Sequence, residues 1–451
     1  MACGRCGAFC VTRPAFTIAM LFPASDRRRQ SAVLVILTLP IVLFFGWLMV
    51  ERLARCPKGI QADFVQEWTS ARNYWTGLPV YSPLRESFPI YFGPQAKTQL
   101  KVNAHPPVAV LVALPIGRID YRSAWLAWNL ISLVLLAMTL WLLMRDQGLA
   151  FSSVAVAPVV ALLLAGNPLS QQVIEGQMNL LLLALIVGAW AADRQGRQSL
   201  AGVLIGLAAA MKFYPAFLVV YFLAARRGRA ALASGIAFGS ANLIAAAVFG
   251  PDVFVVYVRD VMPAFAHYGN NIGNASLAGL WSKVFVGMQH LSLPLIEAPA
   301  AARVFNILSG LGLAALCAWK SLRANDKASR DIAFAACTIG MLLASPITWG
   351  HSFVILLAPM LILWRHATQT YFRVVLMALV ALLCLVRPGW IWNPLIPGFE
   401  AFTLGIAPTG FRISPFQAIV VLSYLTHALV ALFVLAMCLR VPQPAQTVYR
   451  S

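Results

Sequence analysis

Residues 178–229 read MNLLLLALIVGAWAADRQGRQSLAGVLIGLAAAMKFYPAFLVVYFLAARRGR, and this stretch decides the fold class. Apolar blocks at about 178–192, 199–212 and 214–224 alternate with short loops that carry arginine. An apolar run of about 20 residues crosses roughly 30 Å of hydrocarbon, and arginine in short loops marks the cytoplasmic side. The stretch therefore predicts membrane-embedded helices with both arginine loops in the cytoplasm.

The same alternation of apolar blocks and basic loops extends along the whole chain. Of the 451 residues, 60% are hydrophobic and 11% are charged, whereas soluble domains carry roughly 25% charged residues. We therefore expect an all-α, polytopic integral membrane protein of about twelve transmembrane helices. The predicted blocks are 32–50, 122–144, 150–168, 178–192, 199–212, 214–224, 230–249, 300–319, 332–349, 351–364, 372–388 and 416–439.

The cations set the predicted topology. The net charge is +19, from 34 Lys and Arg against 15 Asp and Glu. Alternating the blocks places most cations in short loops on one side, which the positive-inside rule assigns to the cytoplasm together with both termini. Three long loops, at about 51–121, 250–299 and 389–415, then face outward. This placement favours attraction to anionic membrane lipids, and we expect no nucleic-acid partner.

We predict a single transmembrane domain over residues 31–440. A disordered cytoplasmic lead at 1–30 precedes it, and a cytoplasmic tail at 441–451 follows it. The lead is a poor signal peptide, because prolines interrupt it and three arginines follow. The lead also holds a CxxC pair without a second ligand pair nearby, which is a weak zinc signal. Its cysteines are Cys3, Cys6 and Cys10.

Residues 199–224 leave two interpretations open. Blocks 199–212 and 214–224 are each too short to span as straight helices at about 1.5 Å per residue, yet the loops on both sides have cytoplasmic character. The segment is either a tight hairpin of short helices or one span that breaks the charge rule. Pro215 favours a break, and a broken helix at membrane depth is tolerated where it lines a cavity.

The first outer loop contains a pattern typical of interfacial helices. Phe64, Trp68 and Trp75 recur at roughly helical spacing within residues 63–78, with polar residues elsewhere on the helical wheel. This predicts an amphipathic helix on the membrane surface, with its tryptophans at headgroup level. A second apolar stretch at 106–116 is predicted to be interfacial or re-entrant.

Few ionisable side chains fall within or beside the predicted spans on the outer side, and charge at membrane depth is costly enough to favour a functional interpretation. Asp63 is either a helix N-cap or a catalytic carboxylate. Glu67, one turn later, is its partner or a solvated charge. Lys212, at a helix break, favours phosphate binding over snorkelling. His351, at another break, is a satisfied polar residue or a donor to a phosphate or sugar hydroxyl.

Further polar residues near the outer face are weaker candidates for sugar or acceptor binding. Gln177 and Asn179 are suited to sugar hydroxyls, or equally to capping the helix that enters there. The sequence holds no Gly-rich phosphate loop, HExxH motif or spaced Cys/His cluster, so we expect no metal and no cofactor. The complete set of weaker candidates is Glu67, His105, Glu175, Gln177, Asn179, Asn274 and Trp349.

In their order along the chain, these motifs resemble a known family. The chain is similar to the GT-C-fold glycosyltransferases of family 87, the DUF2029 group, over about residues 60–365. That group includes mycobacterial polyprenyl-phosphate-mannose-dependent mannosyltransferases, and related enzymes use an arabinose donor. The motifs are Asp63 before Gly77-Leu-Pro-Val-Tyr81, His105-Pro-Pro107, Glu175-Gly-Gln-Met-Asn179, Ala201-Gly202 through Lys212-Phe-Tyr-Pro215, Asn274-Ala-Ser-Leu277 and Ser345-Pro-Ile-Thr-Trp-Gly-His351.

The resemblance implies a membrane hexosyltransferase in a bacterial inner membrane. It would move a hexose, with mannose as the first guess, or a pentose from a polyprenyl-phosphate donor to a lipid or glycan acceptor on the periplasmic face. Asp63 would act as general base, and Lys212 and His351 would bind the donor phosphate in an inverting displacement. Many GT-C enzymes pair acidic residues in the first outer loop, whereas Gln61-Ala-Asp63 has one aspartate, which favours metal-independent chemistry.

The main alternative is a polytopic transporter or flippase of a lipid-linked saccharide. Such a protein is expected to show internal repeats and charges near mid-span. This sequence shows no inverted repeat and concentrates its polar residues at one face. A ligase or polymerase of lipid-linked glycans and a non-catalytic scaffold are further alternatives. Transfer of labelled sugar, as opposed to movement of intact lipid across a bilayer, distinguishes an enzyme from a flippase.

Overall fold

The computed structural model describes residues 27–55, 63–96, 98, 102–148, 153–288, 290–408 and 410–440, and within them the chain is helical with no strand. The cysteines of the predicted lead and the predicted tail at 441–451 lie outside the described residues. The first helix begins at Arg27 and so overlaps the end of the predicted lead, and the boundary of the predicted domain stays a prediction.

The helices follow one another with short connections, interrupted by brief 3₁₀ and π-helical segments. The α-helices of the described chain are α1 Arg27–Ala54, α2 Phe64–Trp75, α3 Leu84–Phe92, α4 Pro107–Ala113, α5 Tyr121–Asp146, α6 Ser153–Ala165, α7 Asn167–Glu175, α8 Asn179–Arg194, α9 Gln198–Met211, α10 Val219–Ala224, α11 Gly228–Phe249, α12 Asp252–Val256, α13 Met262–Ala266, α14 Leu277–Phe285, α15 Pro299–Leu322, α16 Lys327–Ala344, α17 Leu357–His366, α18 Thr370–Val380, α19 Pro388–Leu395, α20 Phe399–Thr403 and α21 Tyr424–Cys438. The 3₁₀ segments are Leu114–Arg118, Tyr214–Leu218, His267–Asn270 and Gly350–Leu356, and the π-helical segments are Tyr257–Val261, Ala381–Leu385 and Gln417–Val421.

Every predicted apolar block overlaps one of these helices, so the all-α prediction is confirmed. By length and composition, four helices are candidate membrane spans: α1, α5, α11 and α15. Two bent pairs, α6 with α7 and α18 with α19, raise that number to six if each pair is one span. Other apolar helices, including α9 and α21, have 10–17 residues. The twelve-span count therefore stays a prediction, since these helices are shorter than a straight span requires.

The helices divide into an apolar periphery and a buried centre. In the apolar window of α1 only 6% of residues are buried, and in α15 only 17%, so both present apolar side chains outward as lipid-facing helices do. Along α16, by contrast, every residue from Asp331 to Leu343 is buried. This central helix packs against α15, α17 and α21, and the main hydrophobic core surrounds it.

Helices α9 and α11 approach each other closely through two glycines. A Cβ atom at Gly202 would lie 2.1 Å from the carbonyl oxygen of Ala230, and one at Gly206 would lie 2.3 Å from that of Ser234. The four-residue spacing puts both glycines on one face of α9, which is the small-residue packing common in membrane helices. This contact fixes the direction of α9, and α9 ends immediately before Lys212.

The break that Pro215 predicts is present. Helix α9 ends at Met211, Lys212 is extended with φ −143° and ψ 133°, and Tyr214–Leu218 forms a 3₁₀ turn before α10. Pro215 lies at the start of that turn, where its missing N–H leaves no donor unsatisfied. The choice between a hairpin and a single broken span stays a prediction.

Helix α2 corrects the expectation of a surface helix. Both its faces are buried, including the polar residues Gln66, Glu67, Ser70 and Asn73. The hydrophobic pattern correctly placed the helix, but these four polar side chains pair with other parts of the first outer loop. Helix α2 is therefore an internal wall of the protein.

The basic loops predicted to share one side meet in a common ionic network. Asp331 at the start of α16 accepts hydrogen bonds from Arg194 and from the Trp190 indole, the latter at 2.9 Å. At the same end, Arg227 pairs with Asp193 at 2.9 Å. These side chains come from separate predicted cytoplasmic loops, so their clustering is consistent with one shared side.

Gly206→Ala should lower the thermal unfolding temperature of the purified protein in detergent, because its Cβ atom would clash with the Ser234 carbonyl. Gly239→Ala on α11 is the matched control, since a Cβ atom there meets nothing within 4 Å. Alanine is favoured over glycine in helices by about 1 kcal/mol, so the control should retain its stability. An unchanged unfolding temperature for Gly206→Ala would contradict the close packing of α9 on α11.

Candidate active site

A cavity of about 510 Å³ lies where three interruptions of helical structure come together. Helices α6 and α7 bend by 59° at Gly166, and the π-helical end of α18 and α19 bend by 85°. The third interruption is the segment between α16 and α17, which contributes Trp349 and His351. Non-helical backbone at membrane depth is tolerated where it lines a cavity, and π-helical segments recur at functional sites.

Asp63 lines this cavity and is held by two side-chain amides. Its Oδ1 accepts a 3.0 Å hydrogen bond from Gln66 Nε2, and its Oδ2 accepts one from Gln177 Nε2. Its backbone N–H donates to Glu175 Oε2 at 3.3 Å. The carboxylate makes no capping bond to the first turn of α2, which removes the helix-cap interpretation of this residue.

A tight turn after α7 brings Gln177 and Glu175 to Asp63. Gly176 has φ +60°, a left-handed conformation that favours glycine. A Cβ atom there would lie 2.6 Å from Phe64 Cβ and 2.7 Å from the Trp125 ring. The Gly176 carbonyl accepts a 2.7 Å bond from the Trp128 indole. Only glycine therefore lets this turn pack against the start of α2.

Lys212 joins the same network from the opposite direction. Its Nζ donates to Gln177 Oε1 at 2.9 Å and to Asn179 Oδ1 at 3.3 Å. The Tyr214 hydroxyl also donates to Asn179 Oδ1, at 3.3 Å. Gln177 thus lies between the carboxylate of Asp63 and the ammonium of Lys212. Two of the three Lys212 donors are used by protein groups, which leaves one directed elsewhere.

The amides predicted to bind sugar hydroxyls are occupied by protein partners. Asn179 is fully buried, and its Nδ2 donates to Gln172 Oε1 at 3.1 Å. Gln172 in turn donates to the Gln177 carbonyl. Neither Gln177 nor Asn179 caps a helix. Gln177 holds both Asp63 and Lys212, and Asn179 holds Lys212. A direct role of either amide in sugar binding stays a prediction.

Glu67 is not a solvated charge, which corrects that interpretation. It is 3% exposed and forms an ion pair with His105. The His105 backbone N–H donates to Asn103 Oδ1 at 3.0 Å, and Asn103 Nδ2 donates to the Gln66 carbonyl at 3.2 Å. The pair therefore anchors the segment before α4 against α2, next to Asp63. Neither residue lines the cavity, and their contact with sugar or acceptor stays a prediction.

The electrostatic environment of Asp63 suits proton transfer. Burial raises the pKa of the Asp63 carboxyl above its ordinary value, and the neighbouring charge of Glu67 acts in the same direction. The Gln177 hydrogen bond and the positive charges of His105 and Lys212 oppose that rise. A carboxylate with a raised pKa is a stronger proton acceptor, as general-base catalysis requires.

The second outer loop reaches the cavity through Gly273, and hydrogen bonds of Asn274 hold the loop in place. Asn274 Oδ1 accepts from the backbone N–H of Thr348 at 3.0 Å, and its Nδ2 donates to the Pro346 carbonyl at 3.0 Å. Its amide is thus used in holding the loop against the 345–351 segment. Trp349 lines the cavity beside Gly273, whose Cβ position lies 3.3 Å from the indole ring.

His351 lies on the cavity wall with one ring nitrogen free. The residue is 4% exposed, and its Nδ1 has no hydrogen-bond partner. It lies close enough to Lys212 for the two side chains to repel each other when both are protonated. Lys212 itself does not line the cavity, so the two residues approach the same region from different sides.

The structure brings Asp63, Glu175, Trp349 and His351 to one cavity and adds residues that the sequence analysis missed. Asn167 and Gln171 on α7 supply further polar lining, four to eight residues before the motif that the sequence singled out. The sequence did offer one signal for them, because both residues lie at helical spacing from Glu175. Within the described part of the chain, no group of three or more His, Cys, Asp or Glu side chains is placed to hold a metal ion.

Two further lining residues, Trp392 and Tyr424, come from α19 and α21. No sequence signal distinguished these residues from ordinary membrane-interface aromatics, which are common near the ends of spans. Only the tertiary structure shows that these two residues line the cavity.

Comparison with known proteins identifies relatives of this chain. The model of glycosyltransferase family 87 matches residues 103–346. The chain is 24% identical over 381 residues to the polyprenol-phosphate-mannose-dependent alpha-(1-2)-phosphatidylinositol mannoside mannosyltransferase of Mycobacterium tuberculosis, covering 78% of this chain and 80% of that protein. It is 26% identical over 357 residues to a protein of the same description from Mycolicibacterium smegmatis, covering 71% and 72%.

A third relative carries a related description. The chain is 26% identical over 279 residues to a polyprenol-phosphate-mannose-dependent alpha-(1-2)-phosphatidylinositol pentamannoside mannosyltransferase of Mycobacterium tuberculosis. That match covers 61% of this chain and 58% of the relative.

Proposed function

The chain belongs to glycosyltransferase family 87, and from that premise we propose that it transfers mannose from a polyprenyl-phosphate donor to a lipid or glycan acceptor. It is a membrane glycosyltransferase, with candidate spans throughout its described length. Mannose is the preferred sugar because the relatives are described as polyprenol-phosphate-mannose-dependent. Another hexose or a pentose on the same carrier is the alternative that a panel of donors would reveal.

One observation carries the proposal: a carboxylate with a raised pKa, held by two amides, lines a cavity large enough for a sugar. In the proposed step, Asp63 accepts the proton of the acceptor hydroxyl as its oxygen forms a bond to the anomeric carbon. The bond between that carbon and the phosphate oxygen breaks, and the electron pair leaves with the lipid phosphate. A single displacement of this kind inverts the anomeric configuration.

Stabilisation of the departing phosphate falls to Lys212 and His351. Lys212 retains one donor that protein groups do not use, and His351 has an unpartnered ring nitrogen on the cavity wall. Hydrogen-bond donors and positive charge that are in place before the reaction lower the free energy of the transition state, in which negative charge develops on the phosphate. In the proposed mechanism Lys212 supplies positive charge and His351 supplies a neutral hydrogen-bond donor, so no metal is required.

We further propose the GT-C arrangement of about twelve spans in a bacterial inner membrane, with the cavity on the periplasmic side and both termini in the cytoplasm. Two features support this sidedness. The first and second outer loops contribute Asp63 and Gly273 to the cavity. The basic loops meet in the separate network around Asp331 and Asp193.

Asp63→Asn should fold like the wild type and lose transfer activity by roughly 10²–10⁴-fold, the usual contribution of general-base assistance. Asparagine keeps the size of the side chain but does not accept a proton near neutral pH. The measurement is the initial rate of sugar transfer from polyprenyl-phosphate-mannose, with unfolding temperature measured in parallel. Asp260→Asn is the matched control, because this aspartate is half-exposed on the surface and pairs with the adjacent Arg259.

The pH profile provides a second readout for Asp63. A general base acts only when ionised, so kcat/KM should be high above the pKa of Asp63 and fall as the pH drops through it. Since burial raises that pKa, the fall should begin above the ordinary aspartate value of about 4. Asp63 would not be the general base if Asp63→Asn transferred sugar at nearly the wild-type rate. The same conclusion would follow if the fall of kcat/KM at low pH were unchanged in that variant.

Lys212→Met should raise the donor KM roughly tenfold or more, since a hydrogen bond to a charged group contributes about 1.5–3 kcal/mol. Methionine preserves the length of the side chain and removes its charge. Lys212→Arg should partly restore donor use, because the charge returns with a different geometry. Lys327→Met, at the exposed start of α16, is the control. An unchanged donor KM in Lys212→Met would show that this lysine only supports Gln177 and Asn179.

Single-cysteine labelling in intact cells tests the proposed sidedness. In a background without the eight native cysteines, Arg85→Cys should react with a membrane-impermeant maleimide, because Arg85 is exposed in the first outer loop. Asn325→Cys, in the exposed loop before α16, should react only after permeabilisation. The opposite labelling pattern would invert the topology and place the cavity in the cytoplasm.

A further inference from the structure

The cavity lining carries buried polar atoms that have no hydrogen-bond partner among the residues that the structure describes. Trp392 Nε1 and Tyr424 Oη are buried without a hydrogen bond, as is His351 Nδ1, and all three residues line the cavity. More than 90% of buried polar groups in native proteins are paired. Three such atoms around one cavity therefore point to a ligand that supplies the partners.

The chemistry of the three groups selects the ligand's atoms. An indole N–H only donates, and a phenol O–H and an imidazole N–H can each donate as well. No carboxylate stands among them, so the complementary ligand offers acceptor oxygens. Beside them the lining is apolar, with Leu383, Val386 and Leu425. A phosphate attached to a hydrocarbon chain satisfies both the donors and this apolar surface.

The lining that comes from α7 and from the start of α2 has the reverse character. Asp63 and Glu175 present carboxylates there, and Asn167 and Gln171 add amides. Carboxylates accept hydrogen bonds from sugar or acceptor hydroxyls and repel a phosphate. The lining thus combines groups that accept hydrogen bonds from hydroxyls with groups that donate hydrogen bonds to a phosphate.

We propose that Trp392 and Tyr424, together with His351, donate hydrogen bonds to the phosphate oxygens of a lipid substrate in this cavity. The proposal rests on the proposed function for the position of the reacting sugar. It assigns α19 and α21, which lie outside the segment matched by the family model, a direct part in substrate binding. The phosphate belongs either to the polyprenyl donor or to a phospholipid acceptor, and the two sources share this chemistry.

Direct binding to the purified protein tests the site without requiring turnover. The probes are a polyprenyl phosphate, the matching polyprenol without phosphate, and phosphatidylinositol. Tyr424→Phe and Trp392→Phe each remove one donor, so each should weaken binding of the phosphate-bearing probe roughly tenfold, as for a hydrogen bond to a charged group. Binding of polyprenol should not change.

Two exposed aromatics provide matched controls on neighbouring surfaces. Tyr371→Phe on α18 and Trp390→Phe on α19 are the same substitutions at side chains that are 60% and 65% exposed and do not line the cavity. Both controls should bind every probe like the wild type. The unfolding temperature of Tyr424→Phe should not fall, because its hydroxyl makes no bond in the protein.

Each outcome decides between distinct conclusions. Weaker binding of polyprenyl phosphate alone supports the site and assigns it to the donor, and weaker binding of phosphatidylinositol alone supports it and assigns it to the acceptor. Unchanged affinity for both in folded variants, or an equal loss for polyprenol, overturns the proposal. A wild-type protein that binds polyprenyl phosphate but transfers no mannose would overturn the proposed function and leave this site standing.

Discussion

The side-chain amide of Gln177 is the contact on which the arrangement of the site depends. Its nitrogen donates to Asp63 and its oxygen accepts from Lys212, so one neutral group joins a carboxylate and an ammonium from distant parts of the chain. Direct contact between the two charges would neutralise both. With the amide between them, Asp63 keeps lone pairs available for a proton and Lys212 keeps a donor available for an anion.

The turn that places this amide imposes requirements on the surrounding core. Gly176 must be a glycine, because any side chain would collide with Phe64 and Trp125. The tight contact of α9 with α11 at Gly202 and Gly206 then sets where Lys212 emerges. These small residues thus set the positions of Asp63 and Lys212 relative to each other.

The interruptions of helical structure give the cavity its mixed polar and apolar lining. The break between α6 and α7 and the break before α19 lie side by side, since a Cβ atom at Gly166 would be 3.6 Å from the Cys384 carbonyl. One break exposes the polar side chains of α7, and the other exposes an apolar wall. A membrane-embedded enzyme that joins a lipid-linked sugar to a hydroxyl needs both surfaces within one cavity.

The sequence by itself determined the helical blocks and the break beside Pro215, and it singled out Asp63, Glu175 and His351, which line one cavity. It could do so because hydrophobic length, proline and charge in apolar surroundings act locally. It did not determine that Glu67 pairs with His105, that Gln177 and Asn179 face protein groups, or that Trp392 and Tyr424 reach the cavity. Those facts depend on contacts between segments separated by tens to hundreds of residues. Only the packing of the helices decides such contacts, since an amide, an indole or a phenol has the same local signature whether its partner is protein, lipid or substrate.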